Sequence, residues 1–227
     1  AQEIHALGVE AVFGLMSADT ALLIATLDAM GVRFRGARHE NMGIEMAEGY
    51  AAASGKLGIA ITGRGPGTAN GLNASMLVQK CGPRVLLIWG AGPSSGGADL
   101  KEFDSAGVLQ AAGFRTFVAS HPDAICAAFH DAVAVTEATG CAALLLPMNV
   151  QRQALSGPPL RGRVTRPPAP RGPSAAALEA VAALLTKSRR PLFLAGWGAH
   201  LSGAREAIVE LADRAGAVLG TTLKAKD

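Results

Sequence analysis

The sequence predicts an α/β fold: a doubly wound parallel sheet, followed by part of a second α/β domain. Two observations carry that expectation. Short apolar runs alternate along the chain with longer stretches of helical length and Ala/Leu content, the order that gives a parallel sheet its crossover helices. The composition, 49% hydrophobic with 17% charged and only 4% aromatic residues, suits close layers of helices and buried strands and argues against disorder.

The elements follow in order. "VEAVFG" (9–14) reads as a strand, and "DTALLIATLDAMG" (19–31) as a helix stopping at Gly31. "VRFRGAR" (32–38) is a short strand leading into "RHENMGIEMAEGYAAASGK" (38–56), a helix that Gly55 is placed to end. Further strands are expected at 57–63, 84–90, 114–120 and 141–148, with helices over 66–80 and 122–138. Pro66 suits the first turn of a helix. The alternation resumes with helix 174–188, strand 191–198, helix 202–216 and strand 217–223.

Between the two parts lies "SGPPLRGRVTRPPAPRGPS" (156–174). Prolines at this density support neither a helix nor a central strand. The expected division is residues 1–155 as the first domain, 156–174 as a Pro-rich linker and 175–227 as the start of a second domain. Two βα units are too few to close a sheet, so the second domain reads as truncated.

Several function classes are disfavoured. No apolar run approaches the roughly 18 residues of a membrane span, although mean hydropathy is +0.27, and the N-terminus shows no basic-then-apolar signal. Net charge is +3, but many basic residues fall in the Pro-rich stretch Arg152–Arg171, a solvated connector rather than a nucleic-acid face. Cys81, Cys126 and Cys141 lack metal-type spacing and read as thiols of a reducing cytoplasm. No metal cluster is visible, and the protein is expected in the cytoplasm.

Two places carry candidate chemistry. Glu40 directly precedes a helix, where an acid is worth about 0.3–1 kcal/mol against the helix dipole. It also follows a strand end, where open α/β sheets place their ligands. Spacing leaves both readings open. In "ITGRGPGTANG" (61–71), Gly63, Gly65 and Gly67 leave room for a ring or phosphate against the main chain, or simply make a tight βα turn. The spacing departs from the dinucleotide fingerprint, which disfavours a nucleotide-binding oxidoreductase. "GWGAHLSG" (196–203) is another Gly-rich turn. On the helix over 40–54, Met42, Met46 and Tyr50 form an apolar contact face, with Gly43, Ala47 and Ala51 on the neighbouring row. His39 reads as a structural, hydrogen-bonded histidine, and Ser94 and Ser95 as loop residues.

Taken in order, "GVEAVFG", "RHEN..EMAEGYAAASGK", "GPGTAN", "KEFD" and "LPMNVQ" resemble the N-terminal half of a thiamine-diphosphate enzyme of the acetolactate synthase, pyruvate oxidase and benzoylformate decarboxylase group. The resemblance covers 9–151 as the pyrimidine-binding domain and 190–227 as the start of the central domain. It implies that Glu40 is the catalytic glutamate, hydrogen-bonded to the aminopyrimidine N1′ and activating it for ylid formation. It places Met16, Ser17, Pro66, Gly67 and Asn70 beside the cofactor. Met16 and Ser17 stand where the family has Pro-Gly, Gly63 and Arg64 replace the commoner Thr-Ser, and Lys101 replaces Gln before Glu102. Arg64 is a cation for a substrate carboxylate, or pairs with an acid of a partner.

The resemblance further implies decarboxylation or carboligation of a 2-oxo acid, with Mg²⁺ and the diphosphate held by a domain carrying Gly-Asp-Gly, which this chain lacks. It leaves FAD in the central domain open. The cofactor would lie between subunits, so a homodimer or homotetramer is expected, and this chain alone should not catalyse. The rival reading is an inactive assembly or regulatory domain of the same fold.

Overall fold

The structure, a computed structural model, describes residues 1–82, 84–94, 100, 101, 103–157 and 172–226. The chain divides into two compact units, Ala1–Pro168 and Ala169–Asp227. Most of the expected linker 156–174, together with Ser95 and Glu102, lies outside the described residues.

The first unit is built on six parallel strands: β1 (Ala11–Gly14), β2 (Arg33–Gly36), β3 (Gly58–Thr62), β4 (Val85–Ala91), β5 (Thr116–Val118) and β6 (Cys141–Pro147). Their order is β2-β1-β3-β4-β6-β5. Because side chains alternate across a strand, β4 sends Leu86 and Ile88 into one core layer and Val85, Leu87 and Trp89 into the other. The first layer is covered by α1 (Gln2–Ala6), α2 (Ala21–Ala29) and α6 (Ile125–Thr139), through Ile4, Ile24, Leu27, Phe129 and Val133. The second is covered by α3 (Glu40–Ser54), α4 (Pro66–Cys81) and α5 (Ser105–Ala111), through Ile44, Ala47, Ala74, Val78 and Leu109. A short α7 (Met148–Gln151) follows β6. The doubly wound parallel sheet expected from the sequence is present.

Helix α3 carries the most information. His39 caps it from an extended backbone (φ −152°, ψ 147°), its Nδ1 accepting from the Asn41 N–H at 3.2 Å; this is the structural role expected of that histidine. Gly55 ends it in the left-handed conformation (φ 67°). Its inner face corrects the sequence reading. The small row Gly43, Ala47 and Ala51 is buried against the chain's own sheet, while Met42 is 51% exposed and Met46 and Tyr50 are half-buried. A Cβ on Gly43 would lie 2.4 Å from the Gly14 Cα of β1, and one on Gly58 would lie 2.3 Å from the Ala47 carbonyl oxygen. Small residues here bring helix and sheet backbones together, so Ala47 is part of the chain's own core.

Other differences have local causes. Strand β2 is an edge strand of four residues whose Arg33 and Arg35 are exposed, a charged edge that resists further strand pairing. Helix α5 is too short to announce itself by periodicity; the Asp104 carboxylate nucleates it by accepting from the Gly107 N–H at 2.8 Å.

In the second unit, β7 (Leu192–Ala195) and β8 (Val218–Thr221) pair in parallel. They are accompanied by α8 (Ala175–Lys187), α9 (Trp197–Leu201) and α10 (Arg205–Ala215). The Gly-rich stretch 196–203 folds largely as α9 rather than as a bare turn. Two strands bury little: Leu192, Leu194 and Val218 stay about two-thirds exposed, and α8 has no buried residue. Among the described residues no helix is long and apolar enough to cross a membrane.

Candidate active site

In an open parallel sheet the ligand crevice opens beyond the carboxyl ends of the strands, where neighbouring connections depart in opposite directions. Here the chain leaves β1 through α2 under one layer and leaves β3 through α4 over the other. The β1–α2 loop (15–20) and the β3–α4 turn (63–65) therefore flank the crevice, and α3 begins next to it at the end of β2.

Glu40 is the first residue of α3 and is 8% exposed. The Asn70 Nδ2 of α4 donates to its Oε2 at 3.2 Å. A Cβ on Gly67 would lie 3.3 Å from Glu40 Oε1, so the missing side chain keeps the space beside that oxygen clear. Among the described residues Asn70 is the carboxylate's hydrogen-bond partner, which leaves Oε1 facing that space. Asn41 adds a second tie between the helices, its Oδ1 accepting from the Ala74 N–H at 3.1 Å.

The β3–α4 turn is held in a conformation that only glycine adopts without strain: Gly65 has φ 58° and ψ −111°. A Cβ there would lie 2.6 Å from the Lys101 carbonyl oxygen, so Lys101 rests against the turn. Pro66 follows as the first residue of α4. Thr68, fully buried, shares a 2.8 Å hydrogen bond with Ser105 of α5, which anchors the first turn of α4.

The structure thus brings Glu40, Gly67 and Asn70 together, with Pro66 beside them. Ser17 packs against the start of the β3–α4 turn, where a Cβ on Gly63 would lie 2.6 Å from its Oγ, and Met16 precedes it in the β1–α2 loop. Ser17 Oγ donates to Asp19 Oδ2 at 3.4 Å, and Met16 is 57% exposed. Arg64 does not await an acid from elsewhere: its Nε donates to Asp19 Oδ1 and its backbone N–H to Asp19 Oδ2, each at 3.1 Å. The two side chains are 12% and 2% exposed. Sequence reasoning missed Asp19, which stands in "SADT" where it reads as a helix cap. The signal was an acid and an unusual arginine at the ends of two adjacent strands.

Among the described residues no three His, Cys, Asp or Glu side chains gather as a metal site. Cys81, Cys126 and Cys141 form no disulfide, and burial pushes the Cys141 thiol up to about 11.

Residues 1–112 match the family described as thiamine pyrophosphate enzyme, N-terminal TPP binding domain, and residues 178–227 match its central domain. The chain is 31% identical over 231 residues to "Probable 2-ketoarginine decarboxylase AruI" of Pseudomonas aeruginosa, covering 96% of this chain and 40% of that protein. It is 28% identical over 219 residues to the acetolactate synthase large subunit IlvG of Mycobacterium tuberculosis, covering 92% and 40%. An X-ray structure from Mycobacterium smegmatis, assigned to the thiamin diphosphate-dependent enzymes, superposes with a TM-score of 0.82 at 20% identity, over 98% of this chain and 43% of the other; this establishes a shared fold. The chain spans a third to two fifths of the length of the curated relatives it matches. With both family domains found in order along it, the chain belongs to the thiamine pyrophosphate enzyme family.

Proposed function

We propose that the protein is a thiamine-diphosphate-dependent enzyme that decarboxylates or carboligates 2-oxo acids, and that Glu40 is its catalytic glutamate. The observation that carries this reading is a buried carboxylate at the β1/β3 crevice, oriented by Asn70 through one oxygen and turned with the other toward the space that Gly67 leaves clear. That space is what an aromatic ring nitrogen needs in order to reach a carboxyl group.

Bound there, thiamine diphosphate supplies an electron sink for cleaving or forming the bond next to a carbonyl. The rest is the work of this chain. Glu40 Oε1 holds and exchanges a proton at the pyrimidine N1′. Asn70 keeps the carboxyl group from rotating away, and Gly67 and Pro66 would border the pyrimidine ring. Ser17 and Met16, in the β1–α2 loop, border the site next to the β3–α4 turn. The relatives' names, an acetolactate synthase and a 2-ketoarginine decarboxylase, support a 2-oxo acid as substrate.

On this reading residues 1–155 form the pyrimidine-binding domain, 156–174 the connector and 175–227 the beginning of the central domain. Mg²⁺ and the diphosphate are held by oxygen ligands outside this chain. The active form is a homodimer or homotetramer; the exposed Met42, Met76 and Leu77 on α3 and α4 support an apolar contact near Glu40. Three cysteines outside any disulfide fit a reducing cytoplasm.

The test is Glu40→Gln and Glu40→Ala in the full-length protein. General acid–base catalysis is typically worth about 10²–10⁴-fold, so turnover of a 2-oxo acid falls by that order. Thiamine diphosphate titrated with Mg²⁺ still binds. Undiminished turnover in Glu40→Ala would remove the assignment, and an inert wild-type protein that nonetheless assembles would favour the non-catalytic role.

A further inference from the structure

We propose that Asp19 is a positioning residue of this active site: its buried carboxylate, locked to Arg64, imposes the geometry of the Gly65-Pro66-Gly67 turn and through it the placement of Glu40. The proposal rests on the role given to Glu40 above.

A carboxylate that is 2% exposed must be paired and hydrogen-bonded, or its burial is strongly unfavourable. Asp19 accepts three bonds: from the Arg64 backbone N–H and Ser17 Oγ on Oδ2, and from Arg64 Nε on Oδ1. It is also wedged sterically. A Cβ on Gly63 would lie 2.6 Å from Ser17 Oγ, and a Cβ on Gly90 would lie 2.8 Å from Asp19 Cβ. Asp19 thus sits where the ends of β1, β3 and β4 converge, too enclosed to meet a substrate.

Its two contacts with Arg64 differ in kind. One grips the main chain and the other the side chain, so both oxygens of one acid fix the orientation of one residue. The next residue, Gly65, is free to take many backbone conformations and is held at φ 58°. Local preference does not select this turn; the acid across the crevice does. Two residues further on, Gly67 borders Glu40 Oε1, and Asn70 in the following turn of α4 donates to Oε2. A loosened turn therefore moves both surfaces that place the catalytic carboxyl group.

The experiment compares Asp19→Asn, Asp19→Ala and the double variant Asp19→Asn/Arg64→Gln in the full-length protein. Hydrogen–deuterium exchange of the segment 63–71, without any cofactor added, should accelerate in all three. A misplacement on the order of 1 Å can reduce rate about 10²-fold, so kcat should fall by that order while the KM for the 2-oxo acid changes little. The double variant removes both charges of the Asp19–Arg64 pair together. It should recover the urea midpoint lost in the single variants, yet not kcat. Wild-type exchange over 63–71, or a kcat per folded molecule that returns together with the midpoint, would overturn the proposal. If Asp19→Ala does not fold, the other two variants still decide. Glu40→Gln run alongside separates the two readings. If it turns over normally, the assignment of Glu40 falls and this inference with it. If it is inactive while Asp19→Asn keeps wild-type kcat and exchange, this inference alone falls.

Discussion

A methyl group added at two positions of helix α3 should have opposite effects. At Gly49, which is exposed, a Cβ meets nothing within 4 Å, so Gly49→Ala should gain the usual helix propensity, about 0.5–1 kcal/mol. At Gly43 the Cβ would lie 2.4 Å from the Gly14 Cα and 3.0 and 3.1 Å from the Gly14 backbone N and C. Carbon atoms rest at roughly 3.5–4.0 Å, so helix and strand must separate by about 1 Å. Nothing flexible is available to yield, because the obstacle is main chain in β1, which is paired with β3 beside it. Overpacking of this kind costs about 1–3 kcal/mol, outweighing the propensity gain. Glu40 lies one turn away on the same helix, so its carboxylate shifts with the backbone. Urea unfolding of the full-length protein reads the first effect, and kcat with a saturating 2-oxo acid the second. We expect a lowered midpoint and about 10²-fold lower kcat for Gly43→Ala, against a raised midpoint and unchanged kcat for Gly49→Ala. Equal midpoints with normal kcat in both would refute the seating of α3 on Gly14 as the determinant of Glu40's position.

Two further outcomes follow from the same geometry. Asn70→Ala removes the donor to Glu40 Oε2; hydrogen bonds to charged groups contribute about 1.5–3 kcal/mol, so kcat should drop roughly 10–100-fold with the fold intact by circular dichroism. Burial holds the Cys141 thiol at about 11, above its ordinary value of 9.0. The folded state therefore binds this proton more tightly than the unfolded chain. Its contribution to stability is present below about pH 9 and is lost as pH rises toward 11. The urea midpoint should fall over that window, less steeply in Cys141→Ala, and Cys141 should alkylate more slowly at pH 8 than in the urea-unfolded protein.

Most of the first sheet was legible because its strands are apolar runs bounded by glycine or proline, and such signals are local. The caps were legible for the same reason: Gly55 and Pro66 act where they stand. The short helices α5 and α9 escaped, since a turn or two of helix leaves no periodicity to read. Of the candidate site, Glu40, Gly67 and Asn70 were singled out by a motif set, whereas Asp19 was not, because an acid in "SADT" looks like any helix cap.

The order of the strands and of the longer helices, the family and the identity of the candidate acid were written in the sequence alone, because each depends on residue types at fixed short spacing. Only the tertiary structure decided which row of α3 turns inward, that Asp19 meets Arg64 across 45 positions, and that Asn70 meets Glu40 across 30. Those contacts depend on how closely two backbones approach, and a chain of letters carries no distance between residues that its fold brings side by side.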